Sequence, residues 1–138
     1  MKHLIRGLIP IKSGFTLVEL LIVIAIIGIL VSLATVSYTS AQQKGRDGRR
    51  KSDLHAMQNA WEQYYADNAG AYPSSCSVGS TYLPAGVPTD PQTQAAYAST
   101  CSSIAYCFCA TLESGIGNAS SATCTVGAGS YYCVKNLQ

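Results

Sequence analysis

Six cysteines lie in the second half of the chain, and their thiols are the most reactive groups that the sequence offers. They are Cys76, Cys101, Cys107, Cys109, Cys124 and Cys133. An even number of cysteines in a short segment rich in Gly, Ser and Thr is typical of a disulfide framework, which forms outside the cytoplasm. A zinc site is the rival chemistry, but Cys107 and Cys109 are spaced C-x-C, and the two histidines, His3 and His55, lie outside this segment. We therefore predict disulfides and no metal site.

Glu19 is the second group with chemical potential, because it lies in an almost unbroken apolar run at residues 15–36. A carboxylate at the centre of a membrane helix costs about 2.5–3.5 kcal/mol, and less near the end of the helix. The run contains no Lys, Arg or His, so a cationic partner must come from elsewhere. A free N-terminal ammonium would serve, and Glu19 is therefore a candidate functional residue.

Residues 15–36 must be helical if they cross a membrane, because a single spanning segment satisfies its backbone only in that form. As a helix they span roughly 33 Å, about the thickness of one bilayer core. The run is longer than the apolar core of an ordinary signal peptide, and no A-x-A cleavage site follows it. Basic residues flank both ends, so the positive-inside rule is ambiguous; the cysteines instead predict that the C-terminal part lies outside.

The remaining composition argues against catalysis and nucleic-acid binding. Formal net charge is +2, and the part of the chain after Asp53 is mildly acidic. His55 is the last histidine, the segment after Pro73 carries only Asp90 and Glu113 as acids, and no Gly-rich phosphate loop follows a strand. We therefore predict a protein that is not an enzyme.

The apolar run continues into an amphipathic segment. Leu54, Met57, Trp61 and Tyr64 recur at helical spacing, so they predict one helical face that packs against a C-terminal domain. Gly45 and Gly48 weaken the helix before this face and predict a bend. The segment from Asn68 to Pro73 is a helix stop, so the helix is expected over residues 15–67.

The segment after Pro73 reads as a small β-domain. Residues 103–113 and 130–137 alternate and carry β-formers, so both are predicted strands, with a third near residues 81–83. The proline-rich residues 82–91 predict an irregular loop. Fifteen disulfide pairings are open to six cysteines; we favour Cys76 with Cys101, and Cys107 and Cys109 sharing Cys124 and Cys133.

The segment GFTLVELLIVIAIIGIL, residues 14–30, resembles the prepilin-type signal of type IV pilins and type II secretion pseudopilins. In that family a membrane peptidase cuts after the glycine and methylates the new amine. The resemblance implies cleavage between Gly14 and Phe15, N-methylation of Phe15, and an N-terminus that starts the apolar helix. It also implies that Glu19 meets the ammonium of a neighbouring subunit and sets the registry of a filament, which is the best-supported use of a buried ion pair.

The basic cluster KGRDGRRK, residues 44–51, has three potential uses: contact with lipid headgroups before assembly, pairing with acids of neighbouring subunits, or contact with DNA.

The resemblance to pseudopilins implies a calcium site, because G-type pseudopilins bind calcium in a head loop. With only Asp90 and Glu113 available after Pro73, we expect no calcium and no other cofactor. Asn118 begins a weak glycosylation sequon.

The sequence thus predicts an α+β, pilin-like fold in which a long N-terminal helix packs on a small antiparallel, disulfide-stapled sheet. The expected divisions are a leader (1–14), a transmembrane and filament-core helix (15–36), its amphipathic continuation (37–68) and a Cys-rich head (69–138). The expected function is a structural subunit of a type IV pilus-like filament. A type II secretion pseudopilin and a membrane-tethered binding module are the alternatives.

The resemblance also implies the partners and the location. The partners are other copies of the chain, the prepilin peptidase and an assembly platform in the membrane, and no nucleic acid is expected. Before assembly the protein crosses the inner membrane once with its head outside. Afterwards it forms part of a cell-surface or periplasmic filament.

Overall fold

The computed structural model describes residues 14–138, and the secondary structure is one helix followed by three strands. Helix α1 is Leu17–Asp67, β1 is Ala98–Cys101, β2 is Tyr106–Thr111 and β3 is Tyr131–Lys135. The strands form one antiparallel sheet in the order β1-β2-β3. The predicted pilin-like α+β fold with a disulfide-stapled sheet is confirmed. Residues 1–13 of the predicted leader lie outside the described residues.

The chain divides into two compact units, the first ending at Tyr38 and the second comprising Thr39–Gln138. In the first unit, α1 is long and apolar enough to cross a membrane, judged by length and composition. Its large apolar side chains are exposed from Phe15, at 90%, to Leu33, at 67%. Such a surface is unfavourable in water, so it requires lipid or other apolar helices around it.

The polar side chains of this apolar run bond to its own backbone. Ser32 Oγ donates to the carbonyl of Ile29 at 2.7 Å, and Thr35 Oγ1 donates to the carbonyl of Ser32 at 2.9 Å. Both hydroxyls are therefore satisfied without water, as a membrane environment requires.

In the second unit, α1 buries the predicted face. Leu54 and Trp61 are completely buried and Met57 is 2% exposed. Trp61 meets Phe108 of β2 edge-on, with ring centroids 4.8 Å apart, a geometry that the aromatic quadrupole favours. The helical spacing thus identified the core face correctly. Among the described residues, the indole Nε1 of Trp61 is a buried side-chain nitrogen without a hydrogen-bond partner.

Helix α1 ends where the sequence predicted, but it does not break before that point. Ala69 and Gly70 have φ values of +54° and +78°, and the Gly70 amide closes the last turn on the Tyr65 carbonyl at 3.1 Å. Gly45 and Gly48, by contrast, lie inside one continuous helix. A continuous helix can still bend, so the bend predicted at these glycines stays a prediction.

The third strand lies at a different place from the one predicted. Residues 81–83 are not a strand, because the amides of Tyr82 and Leu83 both turn back to the carbonyl of Gly79. The third strand is instead β1, which pairs with β2 so that Ala98 faces Cys109 and Cys101 faces Tyr106. Its sequence is Ala-Ser-Thr-Cys, in which the first three residues are exposed and Cys101 is partly buried. It carries no apolar alternation, so the strand pattern gave no signal there.

The connection between β2 and β3 folds back on itself and needs glycine at two points. A Cβ atom on Gly117 would lie 1.9 Å from the carbonyl oxygen of Tyr131, and one on Gly129 would lie 2.3 Å from that of Ala119. Backbone hydrogen bonds join the two sides, including Gly117 N to Gly129 O at 2.7 Å. The long loop predicted here is therefore closely packed and is held at its middle by Cys124.

Candidate functional site

The N-terminal end of α1 combines Thr16 and Glu19 in a capping box. The backbone amide and the hydroxyl of Thr16 donate to Glu19 Oε2 at 2.8 and 2.7 Å, and the Glu19 amide donates to Thr16 Oγ1 at 3.2 Å. Two amides that the first helical turn leaves unpaired are thereby satisfied. This role was not predicted from the sequence, although the spacing Thr-x-x-Glu is itself the signal.

Gly14 and Phe15, the predicted cleavage residues, precede this capping box and are exposed. A Cβ atom on Gly14 would meet nothing within 4 Å. The described fold therefore places no steric demand for glycine at position 14. The same holds for Gly28 inside α1, where glycine costs about 1 kcal/mol relative to alanine. The described residues therefore impose no steric requirement for glycine at either position.

All six cysteines are paired in the structure. Cys76 bonds Cys101, Cys107 bonds Cys124, and Cys109 bonds Cys133. These are the partners that the sequence favoured, with the choice between Cys124 and Cys133 now specified. The sulfurs of Cys107, Cys109 and Cys124 also have the mutual spacing of a metal-ligand group, but each is consumed by a disulfide.

Arg50 is the centre of an ion-pair cluster that fixes two loops of the head to α1. Its side chain is 3% exposed. The guanidinium donates two hydrogen bonds to the carboxylate of Asp90, from Nε to Oδ2 at 2.6 Å and from Nη2 to Oδ1 at 3.2 Å. Its Nη1 group donates to Asp47 at 2.8 Å and to Glu113 at 2.7 Å, and Nη2 also reaches Gln92 at 3.3 Å. All five N–H donors of the guanidinium are thus used.

Asp47 and Arg46 complete the cluster from the same helical turn. Asp47 accepts the backbone amides of Glu113 and Ser114, both at 2.9 Å. Arg46 forms a bidentate ion pair with Glu113, from Nε to Oε1 at 2.7 Å and from Nη2 to Oε2 at 2.5 Å. Bidentate geometry makes Arg–carboxylate pairs strong. The start of the β2–β3 connection is therefore held by three charged side chains of α1, those of Arg46, Asp47 and Arg50.

These contacts change the interpretation of the basic cluster at residues 44–51. Arg46 and Arg50 bind acids of their own head, so their charges are already neutralised within the chain. Lys51 lies over the ring of Tyr132, with Nζ 5.2 Å from the centroid. Lys44 and Arg49 are exposed. Only part of the predicted basic surface is therefore available to a lipid or a neighbouring subunit.

The cluster shifts the acids toward their charged forms. Hydrogen bonding from Arg46, and then from Arg50, outweighs desolvation and lowers the pKa of Glu113 to about 2. The pKa of Asp90 is also lowered, chiefly by its hydrogen bonds with Arg50. Desolvation acts against ionised Asp47, but amide hydrogen bonds from Ser114 and Glu113 still hold its pKa below the ordinary value.

Glu62 is a second anchor on α1, and it is held by neutral donors. Its carboxylate accepts the hydroxyl of Tyr106 at 2.7 Å, the hydroxyl of Tyr72 at 3.1 Å and the amide of Leu137 at 3.0 Å. It therefore ties β2, the segment after α1 and the C-terminal end to the helix. Burial, together with the charge of Glu62, raises the pKa of Tyr72 to about 12.

The residues present do not fit the calcium site that the resemblance implies. A calcium ion needs six to eight oxygen ligands, mostly from carboxylates and carbonyls. Asp90 and Glu113 are the acids that follow Pro73, and both are bonded to arginine guanidinium groups. A cation is present among these carboxylates, but it is the side chain of Arg50.

A cavity of about 390 Å³ lies beside this cluster and is lined at one end by Arg50, Asp90 and Glu113. Its other walls include Ala98, Ala110, Leu112, Tyr97 and Tyr131. The charged groups in the lining are bonded to one another, rather than standing free as a nucleophile, an acid or a base.

Asn118, the predicted sequon residue, uses its amide inside the fold. Asn118 Oδ1 accepts the backbone amide of Cys133 at 2.7 Å, and its Nδ2 group donates to the Cys133 carbonyl at 2.9 Å. Attachment of a glycan to Nδ2 in the folded head would disrupt this pair of hydrogen bonds.

Comparison with known proteins identifies the class of the N-terminal segment. Residues 10–35 match the family described as the prokaryotic N-terminal methylation motif. The match contains Gly14, Phe15 and the capping box at Thr16 and Glu19.

Curated relatives agree with this class. The chain is 39% identical over 64 residues to the type II secretion system core protein G of Aeromonas hydrophila, covering 46% of this chain and 44% of that protein. It is 39% identical over 57 residues to core protein G of Escherichia coli strain K12, covering 41% and 39%. It is 36% identical over 58 residues to the type IV major pilin protein PilA of Myxococcus xanthus, covering 42% and 26%.

These matches confirm the predicted resemblance to type IV pilins and type II secretion pseudopilins. Each match spans less than half the length of the relative concerned. No solved structure matches the chain.

Proposed function

We propose that the protein is a structural subunit of a type IV pilus-like filament and polymerises through its apolar N-terminal helix. The observation that carries the proposal is the methylation motif at residues 10–35 on a helix whose apolar side chains are exposed. Lipid covers such a surface before assembly, and the helices of neighbouring subunits cover it afterwards. The head is proposed as a structural element without catalytic activity.

Processing at the membrane releases the assembly-competent form. A prepilin peptidase cleaves between Gly14 and Phe15 and methylates the new amine of Phe15. Glu19 then meets the ammonium of a neighbouring Phe15 and sets the axial registry of the subunits. A buried carboxylate and a buried ammonium are each costly alone and tolerable together. A Cβ atom at Gly28 would meet nothing within 4 Å among the described residues. The missing side chain allows a helix of a neighbouring subunit to approach closely at this position.

A type II secretion pseudopilin is the second candidate, because two of the relatives reported above bear the name type II secretion system core protein G. In both cases the subunit crosses the inner membrane once before assembly, with its head outside. The two candidates differ in the resulting filament. A pilus subunit is recovered in material sheared from the cell surface, whereas a pseudopilin is needed for protein secretion.

The processing step is tested by mass spectrometry of the mature protein from wild-type cells. We expect an N-terminal peptide that starts with N-methylphenylalanine at Phe15. Gly14→Val is the informative variant, because open space surrounds position 14 in the described fold; we expect it to accumulate with Met1 or an uncleaved leader. Assembled wild-type protein that retains the leader would contradict the proposal, as would normal cleavage of the variant.

The fate of the protein separates the two candidates. A deletion strain is complemented with the wild-type gene, and both the sheared surface fraction and the culture supernatant are analysed. Loss of a surface filament in the deletion strain supports the pilus subunit. Loss of secreted proteins without a surface filament supports the pseudopilin. A processed protein that restores neither phenotype would favour the membrane-tethered module.

A further inference from the structure

Two disulfides lie side by side on one face of the sheet. Cys107 and Cys109 are two residues apart in β2, so their side chains point to the same face. Their partners are Cys124, from the β2–β3 connection, and Cys133 of β3. Cys109 and Cys133 are directly opposite in the register of β2 and β3. This face carries its own small core, separate from the core that packs on α1.

The sulfurs of the two disulfides are in contact with one another. Cys109 Sγ lies 3.5 Å from Cys107 Sγ and 3.9 Å from Cys124 Sγ. All three sulfurs lie within 4.8 Å of one another. Non-bonded heavy atoms at 4.0 Å or less are in van der Waals contact. Cys109 is thus placed next to both sulfurs of the other disulfide.

The two bonds differ in exposure. Cys109 and Cys133 are buried, at 2% and 8% exposure, whereas Cys124, the partner of Cys107, is of intermediate exposure. An external thiolate therefore reaches the Cys107–Cys124 bond more easily. The inner bond is adjacent to that reaction but shielded from solvent.

We propose that these four cysteines form a thiol–disulfide exchange site, entered by an external thiolate at the Cys107–Cys124 bond. In the first step the thiolate attacks Cys107 Sγ, a mixed disulfide forms, and Cys124 leaves as a thiolate with the bonding electron pair. In the second step the Cys124 thiolate attacks Cys109 Sγ. The Cys109–Cys124 bond forms, and Cys133 leaves as a thiolate that takes up a proton.

This sequence conserves the number of disulfide bonds and needs no oxidant. One bond is exchanged for a mixed disulfide, and a second is exchanged within the head. The site thereby lets an external thiol change the pairing of a buried disulfide without contacting that disulfide directly. It provides a route by which an alternative pairing of Cys109 is formed or corrected after the head has folded.

The third disulfide supplies an internal control. Cys101 faces Tyr106 in the register of β1 and β2, so its side chain shares the sheet face of Tyr106 and Phe108, opposite to Cys107 and Cys109. Cys101 packs against the core on the α1 side. A thiol freed at Cys101 is therefore separated from the exchange site by the sheet.

The full-length Cys107→Ser variant tests the second step, because it leaves Cys124 as a free thiol beside Cys109. The protein is purified in detergent, quenched in acid, alkylated without reduction and mapped by mass spectrometry. We expect a Cys109–Cys124 crosslink, with alkylated Cys133, alongside the original Cys109–Cys133 crosslink. In the matched Cys76→Ser control, we expect alkylation at Cys101 and unchanged pairing of the other four cysteines. A Cys107→Ser variant with only Cys109–Cys133 and fully alkylated Cys124 would overturn the proposal.

Wild-type protein provides a measurement that does not depend on the folding of a variant. It is incubated with limiting glutathione and then quenched and alkylated in the same way. Molecules opened once should include a form with glutathione on Cys107, a Cys109–Cys124 bond and alkylated Cys133. If every opened molecule instead retains Cys109–Cys133 and carries the label on Cys107 or Cys124, the two disulfides act independently and the exchange site does not exist.

Discussion

The carboxylate of Glu19 accepts two hydrogen bonds from Thr16, one from its amide at 2.8 Å and one from its hydroxyl at 2.7 Å. The sequence had suggested a carboxylate that depends on a cation from another subunit. The structure adds a partner within the same chain, so the charged side chain is partly satisfied before any assembly. Thr16 follows the predicted cleavage point, and both donor groups therefore remain in the mature protein.

Arg50→Met tests whether the ion-pair cluster holds the head together. The substitution preserves much of the apolar volume but leaves Asp47, Asp90 and Glu113 without their shared cation. Removing one partner from a buried ion pair typically costs about 3–5 kcal/mol. Trp61 is the sole tryptophan and is completely buried in the head, so its fluorescence during urea unfolding measures the loss.

The matched control for this experiment is Arg49→Met, which removes an exposed arginine from the adjacent position of the same helix. Substitutions at such surface positions usually change the free energy of unfolding by less than about 0.5 kcal/mol. Equal stability of the two variants would show that the cluster contributes nothing beyond a surface charge.

The same cluster predicts that the head loses stability in acid. Because the folded-state pKa of Glu113, about 2, lies below its ordinary value of 4.5, its stabilising contribution is complete above about pH 4.5. That contribution is lost as the pH falls toward 2. The lowered pKa of Asp90 acts in the same direction. We expect the unfolding midpoint, followed by Trp61 fluorescence in detergent, to fall over this range.

Glu113→Gln should flatten this pH profile, because the variant carries no carboxylate to protonate at position 113. Asp67→Asn is a suitable control, since Asp67 is an exposed acid at the end of α1. A profile of Glu113→Gln that is as steep as that of the wild type would contradict the assigned role of Glu113.

Gly117→Ala tests the close packing of the β2–β3 connection. The added methyl group would lie 1.9 Å from the carbonyl oxygen of Tyr131, so the backbone must move. Overpacking of this kind typically costs about 1–3 kcal/mol. In Gly127→Ala the nearest atom is the Cβ of Ser120 at 3.9 Å, and we expect thermal unfolding close to wild type. Indistinguishable midpoints for the two variants would disprove the tight turn at Gly117.

Periodicity was enough to predict the parts of the fold in which burial follows a repeating pattern. The spacing of Leu54, Met57 and Trp61 identified the core face of α1, and the alternation around Phe108 identified β2. β1 could not be found in this way, because three of its four residues are exposed at the edge of the sheet and its position depends on pairing with β2. Residues 81–83 carried β-forming side chains, but the carbonyl of Gly79 binds the amides that a strand would have used.

The candidate site was predictable where one local motif defines it. Gly14, Phe15 and Glu19 lie close together in the sequence, and the same motif could have identified Thr16 as a further site residue. The cluster around Arg50 joins residues 40 and 63 positions apart, and no local pattern encodes such a separation. Both acids after Pro73, Asp90 and Glu113, bind Arg50, and Glu113 binds Arg46 as well.

The proposed alignment of subunits by Glu19 is tested by comparing the variants Glu19→Ala and Thr16→Val. Glu19→Ala removes the carboxylate that a neighbouring ammonium needs, at a cost on the order of 3–5 kcal/mol for each buried contact. Thr16→Val removes the hydroxyl of the capping box but keeps the Glu19 carboxylate and the backbone amide at position 16. Both variants should remain in the membrane, because neither makes the helix more polar.

The decisive measurement is the amount of each protein in the sheared-filament fraction, determined by immunoblot and divided by the amount in the membrane fraction. We predict that Glu19→Ala is processed and present in the membrane but strongly depleted from filaments, whereas Thr16→Val assembles at a level close to wild type. Normal filament yield for Glu19→Ala would contradict the account. An equal loss for both variants would show that Glu19 acts through the capping box of its own helix and not through a neighbouring subunit.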